Sequence, residues 1–337
     1  MRRRAFLSVL TVLLLVLGTG GADASGSPDF APVDRPGPPI QVPRHELDAS
    51  LRCPEALDDV DRDVVLLIPG TTVDPEESFS WNYGKALTAE RIPYCTVQLP
   101  NHTDGDIQVA AEYVVDAIRR IHAASGHRVI LTGWSQGAST LPRWAIRFWP
   151  DIRPMVASLV GLAPLNNRGS VAANGLCLVG SCVPAAWQQS VGSDFMAALN
   201  SGQQTFDEIA YTVIYSRLDE VVTPNLDGAL SVLPEGPNVT NVAIQDLCPA
   251  DVSEHLAIIA SPTAYAVALD AFRHPGEAAD LSRVTVPQPC LPATMPHVSP
   301  IDFVTQEVRI GLNVGPHLLT GQTSAEPPLA CYVTASC

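Results

Sequence analysis

The hydrophobic pattern of the chain alternates between two kinds of segment. Val64-Val65-Leu66-Leu67-Ile68 is apolar without interruption and ends at Pro69-Gly70. A run of that length and composition predicts a strand buried on both faces of a parallel sheet. Arg128 to Thr132, Val156 to Leu162, Tyr211 to Tyr215 and Val239 to Ile244 also read as strands. Between them the period changes. Ile107, Ala110, Ala111, Val114, Ile118 and Ile121 recur at helical spacing, which predicts one long amphipathic helix over 107–125. A second helix is expected from just after Ser135 to about Trp149, stopped by Pro150, and a late one over Ala264 to Phe272. Strands alternating with helices predict an α/β fold with a mostly parallel central sheet, in a single domain.

The two ends differ from this body. Residues 25–50 are rich in Pro, Gly, Ser and Asp and read as an extended surface arm; the catalytic domain is expected over 51–337. From about residue 287 the chain is Pro-rich and irregular, with one helix expected near Ile301 to Leu312.

Chemistry enters at Gly133-Trp134-Ser135-Gln136-Gly137. The pentapeptide alone is a weak signal, but here it follows a predicted strand and precedes a predicted helix. A serine on such a sharp turn projects its hydroxyl above the sheet edge, and the flanking glycines relieve the crowded backbone. The alternative is an ordinary Gly-rich turn. In this arrangement one oxyanion donor is the N–H that follows the nucleophile, here Gln136. A second comes from the loop after an early strand, here Pro69-Gly70-Thr71-Thr72. Thr71 offers both an N–H and a hydroxyl. The acid should sit on a loop after a later strand, where Asp219 and its neighbour Glu220 compete. Histidines at 255, 274, 297 and 317 all lie downstream, and His255 follows the last predicted strand.

The remaining residues exclude other classes. No ligand pattern for a metal stands out, and His102, His122 and His127 read as surface residues. Lys85 is the only lysine, so no phosphate-binding loop of the G-x-x-x-x-G-K type exists. A net charge of −15 argues against nucleic acid as a partner. Neither cofactor nor metal is expected.

The N-terminus reads as an export signal over residues 1–24: three arginines, an apolar run from Ala5 to Leu17, and Ala22-Asp23-Ala24 as the cleavage pattern. The run is short for a membrane span. Arg3-Arg4-Ala5-Phe6-Leu7 also fits a twin-arginine signal, so the general and twin-arginine routes both stay open. An even set of eight cysteines (Cys53, Cys95, Cys177, Cys182, Cys248, Cys290, Cys331 and Cys337) agrees with an oxidising compartment. A secreted monomer without stable membrane insertion is expected.

Taken in order, Leu67-Ile68-Pro69-Gly70-Thr71, Trp134-Ser135-Gln136-Gly137, Trp187-Gln188-Gln189, Tyr215-Ser216 with Asp219-Glu220, and His255 resemble the lipase B family of α/β-hydrolases. The resemblance runs from about Cys53 to Cys290. It implies a triad of Ser135, Asp219 and His255 and an oxyanion hole from Thr71 and Gln136. It implies Trp134, Ser78, Leu165, Gln189 and Val221 around the substrate, and disulfides Cys53–Cys95 and Cys248–Cys290. The chain departs from the family in several places. Gly133 stands where the family has Thr. Leu165 stands where it has an aspartate on the acyl side, so the site here should be more apolar. Cys177 and Cys182 fall in the segment matching a short mobile entrance helix, where a local disulfide would stiffen the lid. Beyond Cys290 the match is poor, and Cys331 with Cys337 would close a small C-terminal loop.

The expected activity is hydrolysis of carboxylic, chiefly lipid, esters through an acyl-enzyme. Acyl transfer and polyester depolymerisation use the same intermediate and stay open on the same fold. A non-catalytic secreted binding protein is the reading from another class, and an intact set of serine, acid, histidine and oxyanion donors argues against it.

Overall fold

The computed structural model describes residues 29–286 and 293–336. The expected export signal, and Cys290 and Cys337, lie outside the described residues.

Seven strands form one sheet: β1 Leu51–Arg52, β2 Val64–Ile68, β3 Tyr94–Val97, β4 Val129–Trp134, β5 Val156–Leu162, β6 Ala210–Tyr215 and β7 Val239–Ala243. Their spatial order is β1-β3-β2-β4-β5-β6-β7. Every neighbouring pair is parallel except the edge pair β1 and β3. The helices are α1 Arg44–Ser50, α2 Pro75–Phe79, α3 Tyr83–Glu90, α4 Ile107–Ser125, α5 Thr140–Phe148, α6 Val171–Leu176, α7 Pro184–Gln188, α8 Asp194–Leu199, α9 Ile244–Leu247, α10 Pro262–Arg273 and α11 Pro300–Leu318.

The uninterrupted apolar runs have a direct cause. In β2, Val64, Leu66 and Ile68 join the core on the α4–α5 face, while Val65 and Leu67 join the core on the α3–α10 face. Side chains alternate across a strand, so a strand covered on both sides must be apolar at every position. Helix α4 coincides with the expected span. Asp106 caps it by accepting from the Gln108 N–H, and Gly126 ends it at φ +71°.

Several expectations need correction. The helix expected from Ser135 to Trp149 is two pieces, a 3₁₀ turn over Ser135–Ala138 and then α5, broken at Ser139. Ser139 leaves helical geometry at φ −151° and ψ −75°, and its hydroxyl donates to the Leu165 carbonyl. The surface arm expected over 25–50 gives way to helix at Arg44, because Leu47 and Ser50 find a buried face while Arg44 pairs with Asp48 one turn on. The C-terminal helix runs to Leu318, well past Leu312, through Gly311, Gly315 and Pro316, whose poor helix propensity hid its extent. Ile244 opens α9 and is not the last residue of a strand.

Candidate active site

The site stands at the C-terminal ends of the parallel strands, the usual crevice of an open α/β sheet. Four strands contribute: the loop after β2 carries Thr71, β4 runs directly into Ser135, the loop after β6 carries Asp219, and the chain beyond β7 and α9 carries His255.

Ser135 sits at φ +57°, in the left-handed region that a residue with a side chain avoids. The turn is tight because two glycines flank it. A Cβ on Gly137 would lie 2.1 Å from the Ile68 carbonyl oxygen, well inside contact distance. The chain therefore crosses β2 at a separation open only to glycine there, and the serine side chain is forced upward.

His255 joins the remote residues. Its Nε2 lies 3.0 Å from Ser135 Oγ, and its Nδ1 lies 2.9 and 2.8 Å from the two Asp219 carboxylate oxygens. Asp219 Oδ1 also accepts the Val221 and Val222 N–H groups at 2.9 and 2.7 Å. With the carboxylate so fixed, Nδ1 carries the proton and Nε2 is free to accept one from Ser135. All three residues are buried: Ser135 is 8% exposed, Asp219 5% and His255 5%. Burial pulls the His255 pKa down, but the Asp219 charge and hydrogen bond overcome it, with help from Glu220 and Glu254, and the net direction is up. The rival acid Glu220 takes a different role, accepting the His255 backbone N–H at 3.2 Å. The competing histidines lie elsewhere. His274 closes α10 on the Asp270 carbonyl, His297 is exposed, and His317 lies against His102 with ring centroids 3.8 Å apart and the rings tilted by 35°.

On the oxyanion side, Thr71 Oγ1 donates to Gln136 Oε1 at 2.9 Å. Gln189 Nε2 lies 3.1 Å from Thr71 Oγ1 and 3.2 Å from Gln136 Oε1, and also donates to the Ala185 carbonyl. One carboxamide thus ties together the two loops expected to bind the oxyanion. Asp104, which the sequence reading missed, is buried close to this loop. Burial pushes its carboxyl up to about 7, against a hydrogen bond from Thr72 that lowers it.

The other expected lining residues are distributed as follows. Trp134 Nε1 donates to the His255 carbonyl at 2.8 Å, so the indole props the histidine loop. Ser78 is fully buried, and its hydroxyl donates to the Asp74 carbonyl inside α2. Val221 is exposed, and its carbonyl receives the Ser170 hydroxyl at the start of α6. Leu165 is buried in the core on the α4–α5 face and is not exposed to solvent.

Cysteines 53 and 95 are bonded, as are 177 and 182. Cys248 and Cys331 are also disulfide-bonded, while their expected partners Cys290 and Cys337 fall outside the described residues. The Cys177–Cys182 bond closes the tip beyond α6, where Leu178 and Val179 are almost wholly exposed. His102 is not a simple surface residue. Ligand atoms of Asp74, Glu77 and His102 lie within 4.8 Å of one another, a grouping hidden by their separation in sequence. Both carboxylates are already engaged. They form a reciprocal capping box at α2, and Glu77 also accepts from Asn313 of α11 at 2.7 Å.

A mostly parallel sheet in this order, with a serine on the turn after β4, defines the α/β-hydrolase class, and the chain belongs to that family, whose profile matches residues 65–305. Within the class it falls with the lipase B proteins. It is 32% identical over 238 residues to lipase B of Pseudozyma antarctica, covering 70% of this chain and 69% of that one. Among solved structures, Aspergillus fumigatus lipase B superposes with a TM-score of 0.79 at 26% identity, over 89% of this chain and 74% of that one. A Bacillus licheniformis lipase in its propeptide form gives 0.50 at 16% identity, covering 68% and 55%, and shares the fold alone.

Proposed function

We propose that this protein is an exported carboxylic ester hydrolase that acts on apolar esters through an acyl-enzyme at Ser135. The single observation that carries the reading is the bridge made by His255, with one ring nitrogen on Ser135 Oγ and the other on a buried carboxylate. Ser135 attacks the ester carbonyl as its proton passes to His255 Nε2. Asp219 stabilises the resulting imidazolium. The tetrahedral oxyanion takes hydrogen bonds from the backbone N–H of Gln136 and from Thr71, whose hydroxyl must turn away from Gln136 Oε1 to reach it. His255 then protonates the leaving alcohol and later serves as the base for water.

Membership of the lipase B family supports ester chemistry. Exposed Val171, Leu176, Leu178, Val179 and Val221, on the lid and on the adjoining acid loop, favour an apolar ester over a polar one. The disulfides and the leader-like residues 1–24 favour export.

The test is p-nitrophenyl ester hydrolysis by the mature chain from acetate to palmitate, beside Ser135→Ala. The wild type should turn over, with Ser135→Ala reduced to background at unchanged fold. Turnover by Ser135→Ala at the wild-type rate, or none by a folded wild type, would overturn the assignment.

A further inference from the structure

One buried acid beside the oxyanion loop has no part in the mechanism above. Asp104 is 4% exposed, and its Oδ1 is buried without a hydrogen-bond partner. Burial raises the carboxyl to about 7, the Thr72 N–H opposes the rise, and no charged side chain is among the causes. A carboxyl buried with so little support costs the fold stability, so a purely structural purpose does not account for it.

The loop that Asp104 faces is strained. Thr72 is 6% exposed and sits at φ +67°, in the left-handed region that a β-branched residue avoids. Such a conformation persists only where the surroundings hold it. Two contacts from residues 103 and 104 do so. The Thr72 N–H donates to the Asp104 carboxyl, and the Thr103 hydroxyl donates to the Val73 carbonyl at 3.1 Å. The Thr72 N–H belongs to the peptide plane that follows Thr71, so the group that holds it also sets the direction in which the chain leaves Thr71. The same segment grips α7. The Ala185 N–H donates to the Asp104 carbonyl at 3.1 Å. The Gln188 carboxamide accepts the Ile107 N–H at 2.8 Å and donates to Asp106 at 2.6 Å. The next residue is Gln189, which reaches Thr71 and Gln136. Thr71 is thus held along two routes from one segment, through the main chain at Thr72 and through the side chain of Gln189.

We propose that Asp104 is a positioning residue for the oxyanion hole, its carboxylate holding the Thr72 N–H so that Thr71 presents its donors to the developing oxyanion. This rests on the ester-hydrolase reading above. Asp104 touches no reacting atom. Its charged form is the stronger acceptor and holds the loop more firmly than a neutral group of the same shape. A hole already set when the ester arrives stabilises the transition state without reorganising. A loosened loop therefore lowers kcat and leaves ester binding alone.

The experiment compares the mature wild type with Asp104→Asn, Asp104→Leu and Ser135→Ala on a p-nitrophenyl ester. It is run at about pH 8.5, above the value of about 7 at which Asp104 titrates, so the wild-type carboxyl is charged. Asn keeps the shape and one oxygen for the Thr72 N–H. Leu keeps the branching and loses the acceptor. Rates are expressed per serine titrated by an active-site phosphonate. Removing an oxyanion donor outright costs about 10²–10³ in kcat. Loosening one should cost about tenfold in Asp104→Leu and about threefold in Asp104→Asn, with KM nearly unchanged in both. An alkylboronic acid, which forms a tetrahedral adduct on the serine, should bind more weakly by the same factors. The Tm of Asp104→Leu should stay within about 3 °C of the wild type, because removal of a buried carboxyl offsets the lost bond to Thr72. A merely structural role would lower Tm and the amount of titratable serine and leave kcat per titrated serine unchanged. The proposal falls on that result, on a loss confined to KM, or if Asp104→Asn is as impaired as Asp104→Leu. If Asp104→Leu fails to fold, Asp104→Asn decides. A reduced kcat with boronic acid binding weakened in step supports the proposal, and a wild-type kcat overturns it. An inactive wild type, or Ser135→Ala as active as the wild type, brings down the ester-hydrolase reading and this proposal with it.

Discussion

Replacing Asp219 by Asn tests the site because the backbone leaves the new amide no choice of orientation. Asp219 Oδ1 is held by the N–H groups of Val221 and Val222 at 2.9 and 2.7 Å. In the variant those two donors require an oxygen, so the Asn oxygen must take their side. The NH₂ then faces His255 Nδ1, where the carboxylate now lies at 2.8 Å. An NH₂ in the place of Oδ2 opposes an N–H at Nδ1; the Asn oxygen still lies 2.9 Å from Nδ1, but it is neutral and already holds two backbone N–H groups, so the balance shifts toward the tautomer protonated at Nε2. A protonated Nε2 cannot take the Ser135 proton. The expected loss is about 10⁴-fold in kcat, or about 5.5 kcal/mol of transition-state stabilisation. KM should change little, since nothing that touches the ester is removed. Both backbone bonds survive, so the urea midpoint should move by no more than about 1 kcal/mol of stability. The assay is steady-state hydrolysis of a p-nitrophenyl ester with the variant's fold checked by circular dichroism. A folded Asp219→Asn retaining more than about a tenth of wild-type kcat, or losing activity through KM alone, would refute the argument.

Gly137→Ala should cost about 3 kcal/mol or prevent folding, since its Cβ would meet the Ile68 and Pro69 carbonyl oxygens at 2.1 and 2.4 Å; urea unfolding of the purified variant measures this. Gln189→Leu removes the carboxamide that joins Thr71 to Gln136 and should lower kcat about tenfold with KM nearly unchanged; equal losses in binding and turnover would count against it. The double variant Cys177→Ser with Cys182→Ser frees the lid tip and should gain activation on adding an oil–water interface, which the wild type should largely lack; the readout is the rate ratio with and without emulsion. The acid limb of kcat/KM should lie above the ordinary histidine value near 6.5, because the His255 pKa is raised, and pH–rate profiles will place it.

Much of the fold was legible because burial dictates composition. β2 is buried at every position and could be read as an unbroken apolar run, β5 is equally buried and interrupted by a polar residue only at Ser158, and α4 carries one apolar stripe with caps at both ends. Strand β3, second from the edge, escaped because only alternate positions are buried, over four residues. Helices α6, α7 and α8 are five or six residues long, too short to display a period. Ser135, the proposed nucleophile, was legible because its turn is local. Choosing Asp219 over Glu220 and His255 over three other histidines needed the resemblance, because only the tertiary structure brings those loops to Ser135. The role of Gln189 was hidden for the same reason, as was that of the half-buried His102. Their partners lie tens of residues away and leave no pattern in the sequence.

The histidine loop shows how position and charge come from the same residues. Glu220 accepts the N–H of His255. Glu254 accepts those of Leu256 and Ala257, at 2.7 and 3.1 Å. These carboxylates fix the backbone on either side of the imidazole, and both raise its pKa in concert with Asp219. A loop held by neutral acceptors could have the same shape, but its buried imidazolium would then rely on Asp219 alone. In the mechanism proposed above the imidazolium is the species formed as the serine attacks, so negative charge around it lowers the barrier. The same charge keeps the resting ring protonated to higher pH, where it cannot act as a base. The consequence for stability has the opposite sign to that for rate. A histidine whose folded pKa is raised stabilises the fold fully below its unfolded value, and that contribution is lost as the pH rises through the folded value. With His255 as the proposed base, activity should appear over that same interval, as the ring loses its proton. The pair of His255 and Asp219 therefore contributes least to holding the fold where it is most competent to accept the proton of Ser135. The backbone ties from Glu220 and Glu254, which do not depend on the state of the ring, are what keep the loop in place there.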